Sequence, residues 1–117
     1  MTKDNGTNKV LKEIVSHAGN LADLVQYSAD SIVSKILIDK PAGSLTLFAF
    51  DQGQRLSEHT SPYDAVVQIV DGSAVLNIGN QAVEMKAGQI VIMPANIPHS
   101  VEAKEKFKML LIMIRQK

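Results

Sequence analysis

The change in hydrophobic period after Ser31 is the feature that most constrains the fold of this chain. Beyond it, side chains alternate along short runs bounded by Gly, Pro and Asn turns, as is typical of β-strands. The predicted strands cover residues 32–39, 45–49, 64–70, 74–78, 82–86, 90–93 and 107–114, with turns at 41–43, 71–72 and 79–80. Strands with no helix between them predict an all-β fold, either an antiparallel sandwich or a small barrel.

The N-terminal quarter of the chain has a different pattern. Residues 1–8 are polar and are expected to form a disordered tail. Apolar residues then recur with helical spacing, which predicts a short helical segment over 9–27, ahead of a barrel domain over 28–117. Asn20 either caps a second short helix, with Asp23 at its third position, or residues 21–27 run directly into the first strand.

Composition and charge exclude several classes of protein. A chain of 117 residues is the size of one domain, and its 12 basic and 12 acidic residues cancel without forming a basic patch for nucleic acid. The longest apolar run, Met109 to Ile114, is far too short to cross a bilayer, and the polar start predicts no secretory signal. We therefore expect a cytoplasmic protein that binds neither nucleic acid nor membrane.

Two glycine-led stretches each supply one histidine. The first stretch contains a glycine, five further residues and a histidine, followed by a later glycine: Gly53, His59 and Gly72. The second contains a glycine, a proline and a histidine at fixed spacing: Gly88, Pro94 and His99. This arrangement resembles the two motifs of the cupin superfamily. The resemblance covers residues 53–103 and implies a double-stranded β-helix, or jelly-roll barrel, preceded here by the short N-terminal helix.

The same stretches depart from the cupin pattern at four positions. Ser61 stands where the family has its second histidine, Ala65 where it has glutamate, Asn96 where it has an inner glycine, and Ala103 where it has asparagine. Two of the four metal ligands that the resemblance implies are therefore missing. With no cysteine in the chain, a thiolate cannot replace them.

The remaining histidines define the predicted site. His59 and His99, one from each half of the barrel, are the predicted metal ligands, and the resemblance implies a divalent transition metal. Ser61 and Tyr63 are the predicted contacts to a small-molecule ligand, Ser61 as a hydrogen-bond donor. Either Tyr63 or Glu58 could take the place of the lost carboxylate, Glu58 only if a β-bulge turns it inward.

Two classes of function remain open. The first is a metal-dependent cupin, and if it is an enzyme the resemblance implies oxygenase, isomerase or decarboxylase chemistry. The second is a metal-free cupin that binds or senses a small molecule without catalysis. The third histidine, His17, is interpreted as a surface or interface residue, and four strand methionines are interpreted as core residues: Met85, Met93, Met109 and Met113.

A homodimer is the expected assembly. The strand over 108–115 contains six consecutive apolar residues, so both of its faces need cover, and the N-terminal segment carries a further apolar stripe. Gln68 has the opposite parity from Ala65, which predicts that it faces a partner sheet or a subunit interface and not the cavity.

Overall fold

The fold is built from β-strands that pair antiparallel throughout. In the computed structural model, which describes residues 9–115, nine strands form within that range. Their bounds are β1 Lys9–Val10, β2 Ile32–Lys40, β3 Gly43–Phe50, β4 Arg55–His59, β5 Asp64–Ile78, β6 Gln81–Lys86, β7 Ile90–Met93, β8 His99–Glu102 and β9 Phe107–Ile114. The all-β prediction is confirmed. The predicted disordered tail, residues 1–8, lies outside the described range.

The strands form two sheets that share β5. One sheet has the order β1-β2-β3-β9-β5-β7, and the other has the order β6-β5-β8-β4. The principal core lies between them and includes Phe50 and Phe107, whose rings stack with centroids 4.6 Å apart. This is the jelly-roll barrel that the sequence predicted.

The strand β5 crosses from one sheet to the other at Gly72. The sequence predicted a turn at residues 71–72, but the strand continues through a β-bulge between Ile69 and Asp71. Gly72 has φ +75°, and a Cβ atom there would lie against the Lys106 carbonyl oxygen and 3.1 Å from the Phe107 Cα. A side chain at this position would be strained and crowded, so the corner requires glycine.

The predicted N-terminal helix is replaced by two single-turn 3-10 helices, Lys12–Ile14 and Leu21–Asp23. Ser16 has φ 62° between them, and Asn20 makes no side-chain capping bond to the second. A short helix gains little stability by itself, whereas the irregular segment places its apolar residues against the outer face of the first sheet. That second core includes Leu11, Ile14, Leu21, Leu24, Val25 and Tyr27.

Polar contacts hold the N-terminal segment on the sheet. The Lys108 ammonium donates to the Ala22 carbonyl oxygen at 2.5 Å, and the Tyr27 hydroxyl donates to Asp71 at 2.6 Å. Burial and the Asp71 carboxylate both raise the pKa of Tyr27. Among residues 9–115, no helix is long and apolar enough to span a membrane.

Candidate functional site

His59 and His99 lie directly opposite each other at one end of the barrel. His59 is the last residue of β4, His99 is the first residue of β8, and the two are register partners. A β-bulge between Leu56 and His59 shifts the register just before this pair. The rings meet edge to face with centroids 4.3 Å apart, and their Nε2 atoms are 3.1 Å apart. The structure thus brings the two predicted metal ligands into contact.

Hydrogen bonds to backbone carbonyl groups determine the tautomer of each imidazole ring. The Nδ1 atom of His59 lies 2.9 Å from the Ser57 oxygen, and that of His99 lies 3.2 Å from the Ile97 oxygen. A carbonyl oxygen can only accept, so each Nδ1 carries the hydrogen and each neutral ring has its lone pair on Nε2. Two lone pairs at this distance repel unless a cation lies between them, either a proton or a metal ion.

The two rings differ in their exposure to solvent. His99 is only 6% exposed, whereas His59 is exposed at the rim of the barrel. Burial lowers the pKa of His99 below its usual range, the bond to the Ile97 carbonyl opposes this shift, and the neighbouring His59 adds to it. The His99 imidazole is therefore neutral at pH 7, the state in which it can bind a metal.

The histidine pair opens onto a small apolar cavity. Its volume is about 90 Å³, and it is lined by Leu56, His59, Ser61, Ala65, Met93, His99, Val101, Met109, Leu111 and Met113. Pockets for drug-sized ligands are commonly about 300–1,000 Å³. This cavity can therefore admit a molecule of only a few heavy atoms next to the imidazoles.

Ser61 lines the cavity, whereas the other candidate ligands do not. The Ser61 hydroxyl accepts a hydrogen bond from the Tyr63 amide at 3.1 Å, so its own hydrogen can be donated to a ligand. Tyr63 is half-buried but is not among the lining residues. Glu58 is exposed and also outside the lining, although a bulge is present in its strand. Neither side chain therefore borders the cavity in this structure.

Loop contacts explain one departure from the cupin motif. Asn96 has φ 66°, a left-handed conformation that glycine adopts freely and that asparagine tolerates better than most residues. Its amide donates to the Ser61 carbonyl oxygen at 2.7 Å, and the neighbouring Ala95 amide donates to Asp64 at 2.9 Å. The loop before His99 is thereby tied to the loop after His59.

The nitrogen pair has the spacing of two ligands on one metal ion. Imidazole nitrogens that bind an ion at about 2.0–2.1 Å, at angles of roughly 90–110°, lie about 2.8–3.4 Å apart. The Nε2 atoms of His59 and His99 are 3.1 Å apart, and their Nδ1 atoms face carbonyl oxygens as in many metal sites. Within the described residues, however, no group of three His, Cys, Asp or Glu side chains is placed to hold a metal.

Three methionines line the cavity, a feature that sequence reasoning missed. Met93, Met109 and Met113 were interpreted as core residues, and Met93 and Met109 are indeed buried, but all three also border the space beside the histidines. The alternation within each strand shows only which face a methionine occupies. It does not show which residues of other strands lie opposite.

Comparison with known proteins gives a consistent result. The chain matches the cupin domain family over residues 46–115. A cupin 2 conserved barrel domain protein from Leptotrichia buccalis is 41% identical, with a TM-score of 0.81; the match covers 84% of this chain and 48% of that one. A search of curated proteins gave no match.

Two further solved structures are similar. A conserved protein of unknown function from Streptococcus pyogenes is 36% identical, with a TM-score of 0.74 over 77% of this chain and 79% of that one. A cupin superfamily protein from Desulfitobacterium hafniense is 27% identical, with a TM-score of 0.80 over 83% of this chain and 89% of that one. With the family match covering more than half of its residues, this chain belongs to the cupin family.

Proposed function

We propose that this cupin binds a transition metal through His59 and His99, together with a small molecule of a few heavy atoms in the adjoining cavity. The observation that carries the proposal is the 3.1 Å distance between the two Nε2 atoms, with each Nδ1 atom facing a backbone carbonyl oxygen. A metal ion between them would remove their repulsion and use both imidazoles in the tautomer that the backbone carbonyls favour. A location in the cytoplasm stays a prediction.

The chain's own residues would act on the bound molecule in two ways. The apolar walls, which include Leu56, Val101 and Leu111, exclude water from one side of the cavity. The Ser61 hydroxyl can donate a hydrogen bond that orients a polar group of the ligand. A bound metal would supply Lewis-acid chemistry to a coordinated oxygen. Catalysis of the oxygenase, isomerase or decarboxylase type stays a prediction from the family resemblance.

A metal-free cavity is the second candidate function. It is favoured by the absence of a third His, Cys, Asp or Glu ligand in the part of the chain that the structure describes. In that case the histidine pair acts with Ser61 as a set of hydrogen-bonding groups for a small ligand. The same residues serve both candidates, so only a direct test for metal separates them.

The test is metal analysis of protein purified without chelator or metal-affinity resin, followed by titration with manganese, iron(II), zinc, nickel and copper. We expect about one ion per chain in the wild type and none in His59→Ala. His17→Ala is the matched control, because His17 is also exposed and also bonds a backbone carbonyl through Nδ1, but does not line the cavity.

The outcomes separate the two candidates. Binding that is lost in His59→Ala and kept in His17→Ala supports a metal site at the histidine pair. Binding that survives both substitutions places the metal elsewhere and overturns the proposal. If the wild type binds none of the five ions, the metal-free candidate replaces it, and small ligands are then screened by thermal shift against the same variants.

A further inference from the structure

The cavity beside the histidines contains three thioether side chains and no carboxylate. Met93 and Met109 are 4% and 2% exposed, Met113 is half-buried, and all three line the cavity together with His59 and His99. The remaining lining residues are aliphatic apart from Ser61. No group in the wall can therefore supply negative charge to a bound metal ion.

Strand pairing places two of the methionines on either side of Ala65. Met93 of β7 and Met113 of β9 are both register partners of Ala65 in β5. Directly opposite side chains in an antiparallel sheet have Cβ atoms roughly 4.5–5.5 Å apart, so these three residues form a row across the sheet. Because Ala65 has only a methyl group, the longer methionine side chains border the space that a larger residue at this position would fill.

Neutral donors in an apolar cavity favour a singly charged metal ion. A divalent ion buried without an anionic ligand keeps two uncompensated charges in surroundings of low polarity, which is unfavourable. Soft thioether and imidazole ligands select Cu(I), whereas carboxylate and water ligands suit harder ions. This cavity offers two imidazole nitrogens and up to three thioether sulfurs. These are the soft ligands that select Cu(I).

We infer that the metal bound by this cupin is Cu(I), held by His59 and His99 together with at least one thioether of the Met93–Ala65–Met113 row. This inference rests on the proposed function, because it requires that the histidine pair bind a metal. The aliphatic residues of the wall would keep water from the ion, and the exposed edge of His59 would give it a route in from the barrel rim.

The experiment compares Cu(I) and zinc affinities in four proteins under anaerobic conditions. Cu(I) is titrated in competition with a chromophoric chelator into the wild type, His59→Ala, Met93→Leu/Met113→Leu and Met85→Leu. Met85 is the matched control, since it is a buried β-strand methionine of the same core that does not line the cavity. Leucine keeps the size and apolar character of methionine and removes only the sulfur.

We expect the double methionine variant to bind Cu(I) at least tenfold more weakly and zinc with unchanged affinity, and Met85→Leu to match the wild type for both. X-ray absorption of the Cu(I)-loaded wild type should show a sulfur neighbour. This second measurement needs no variant, so it decides the matter even if the double variant does not fold.

Contrary results are distinguishable. If His59→Ala abolishes Cu(I) and zinc binding while the double methionine variant keeps full Cu(I) affinity, the thioether inference is overturned and the histidine metal site stands. Absence of a sulfur neighbour in the absorption spectrum leads to the same conclusion. If the wild type binds neither metal, the proposed function and the inference fail together.

Discussion

Replacing Ala65 with glutamate would put a carboxyl group into the cavity beside the histidine pair. Ala65 is 2% exposed and lines the cavity with His59 and His99. Its neighbours across the sheet are Met93 and Met113, so no cationic side chain lies opposite it in the strand register. The substitution therefore tests two properties of position 65: the apolar character of its surroundings and its proximity to the two imidazoles.

The stability cost follows from the protonation of the new side chain. A glutamate that is ionised in the unfolded chain, with a pKa of about 4.3, must be held neutral in an apolar site at pH 7, which costs about 3.7 kcal/mol. We expect the free energy of unfolding of metal-free Ala65→Glu to fall by about 4 kcal/mol. This is a large part of the stability of a small domain, roughly 5–15 kcal/mol.

Metal ions should restore most of that loss. Two imidazoles and one carboxylate form a ligand set suited to divalent ions such as iron(II), and the ion would neutralise the buried carboxylate. The recovery in the free energy of unfolding is measured by urea unfolding, first with a chelator present and then with manganese, iron(II) or zinc. The variant should also bind these ions at least tenfold more tightly than the wild type, because the carboxylate adds a hard, anionic ligand.

Ala74→Glu is the matched control for this prediction. Ala74 is also a buried alanine of β5, 4% exposed, and its register partner Met85 is a methionine, but it does not line the histidine cavity. Because Ala74 borders an open pocket that Lys86 and Lys104 also line, the control is read only for its metal response: metal addition should leave the stability of Ala74→Glu unchanged. An equal metal response in the two variants would refute the reasoning that position 65 borders a metal site, and an unchanged stability of Ala65→Glu would refute its apolar character.

Two further predictions concern pH and assembly. Burial lowers the pKa of His99, so the unfolded state binds more protons than the folded state, and stability should fall as the pH drops below the unfolded value of about 6.5. Urea unfolding between pH 5 and about 8 should show a weaker pH dependence for His99→Gln than for the wild type; equal slopes would contradict this assignment. The homodimer was predicted from the 108–115 strand and the N-terminal apolar stripe, but these pack against each other within the chain. We therefore expect a dimer to use the outer sheet face around Ile90 and Ile92, each 63% exposed. Ile92→Lys should then yield monomers whose melting temperature no longer depends on protein concentration. A wild-type mass of 12.7 kDa by light scattering would show that the dimer prediction is wrong.

Local patterns explain why much of the fold was predictable from the sequence. The strands β2, β3, β6, β7 and β9 were expected almost at their observed bounds, because alternation and turn residues act within a few positions. The predictions failed where distant contacts prevail over local pattern. The apolar residues of the N-terminal segment do become buried, but the sheet surface they cover holds them in 3-10 turns and extended chain, not in a helix.

For the candidate site, the sequence by itself determined the chemical groups: two histidines at motif positions, a serine, and no cysteine or acidic residue in the remaining motif positions. The tertiary structure alone decided their arrangement. The 3.1 Å contact between the Nε2 atoms, the small cavity and the placing of Met93 and Met113 beside Ala65 depend on the register of strands far apart in the chain. Strand register is set by the packing of the whole core, and no local pattern specifies which strands become neighbours.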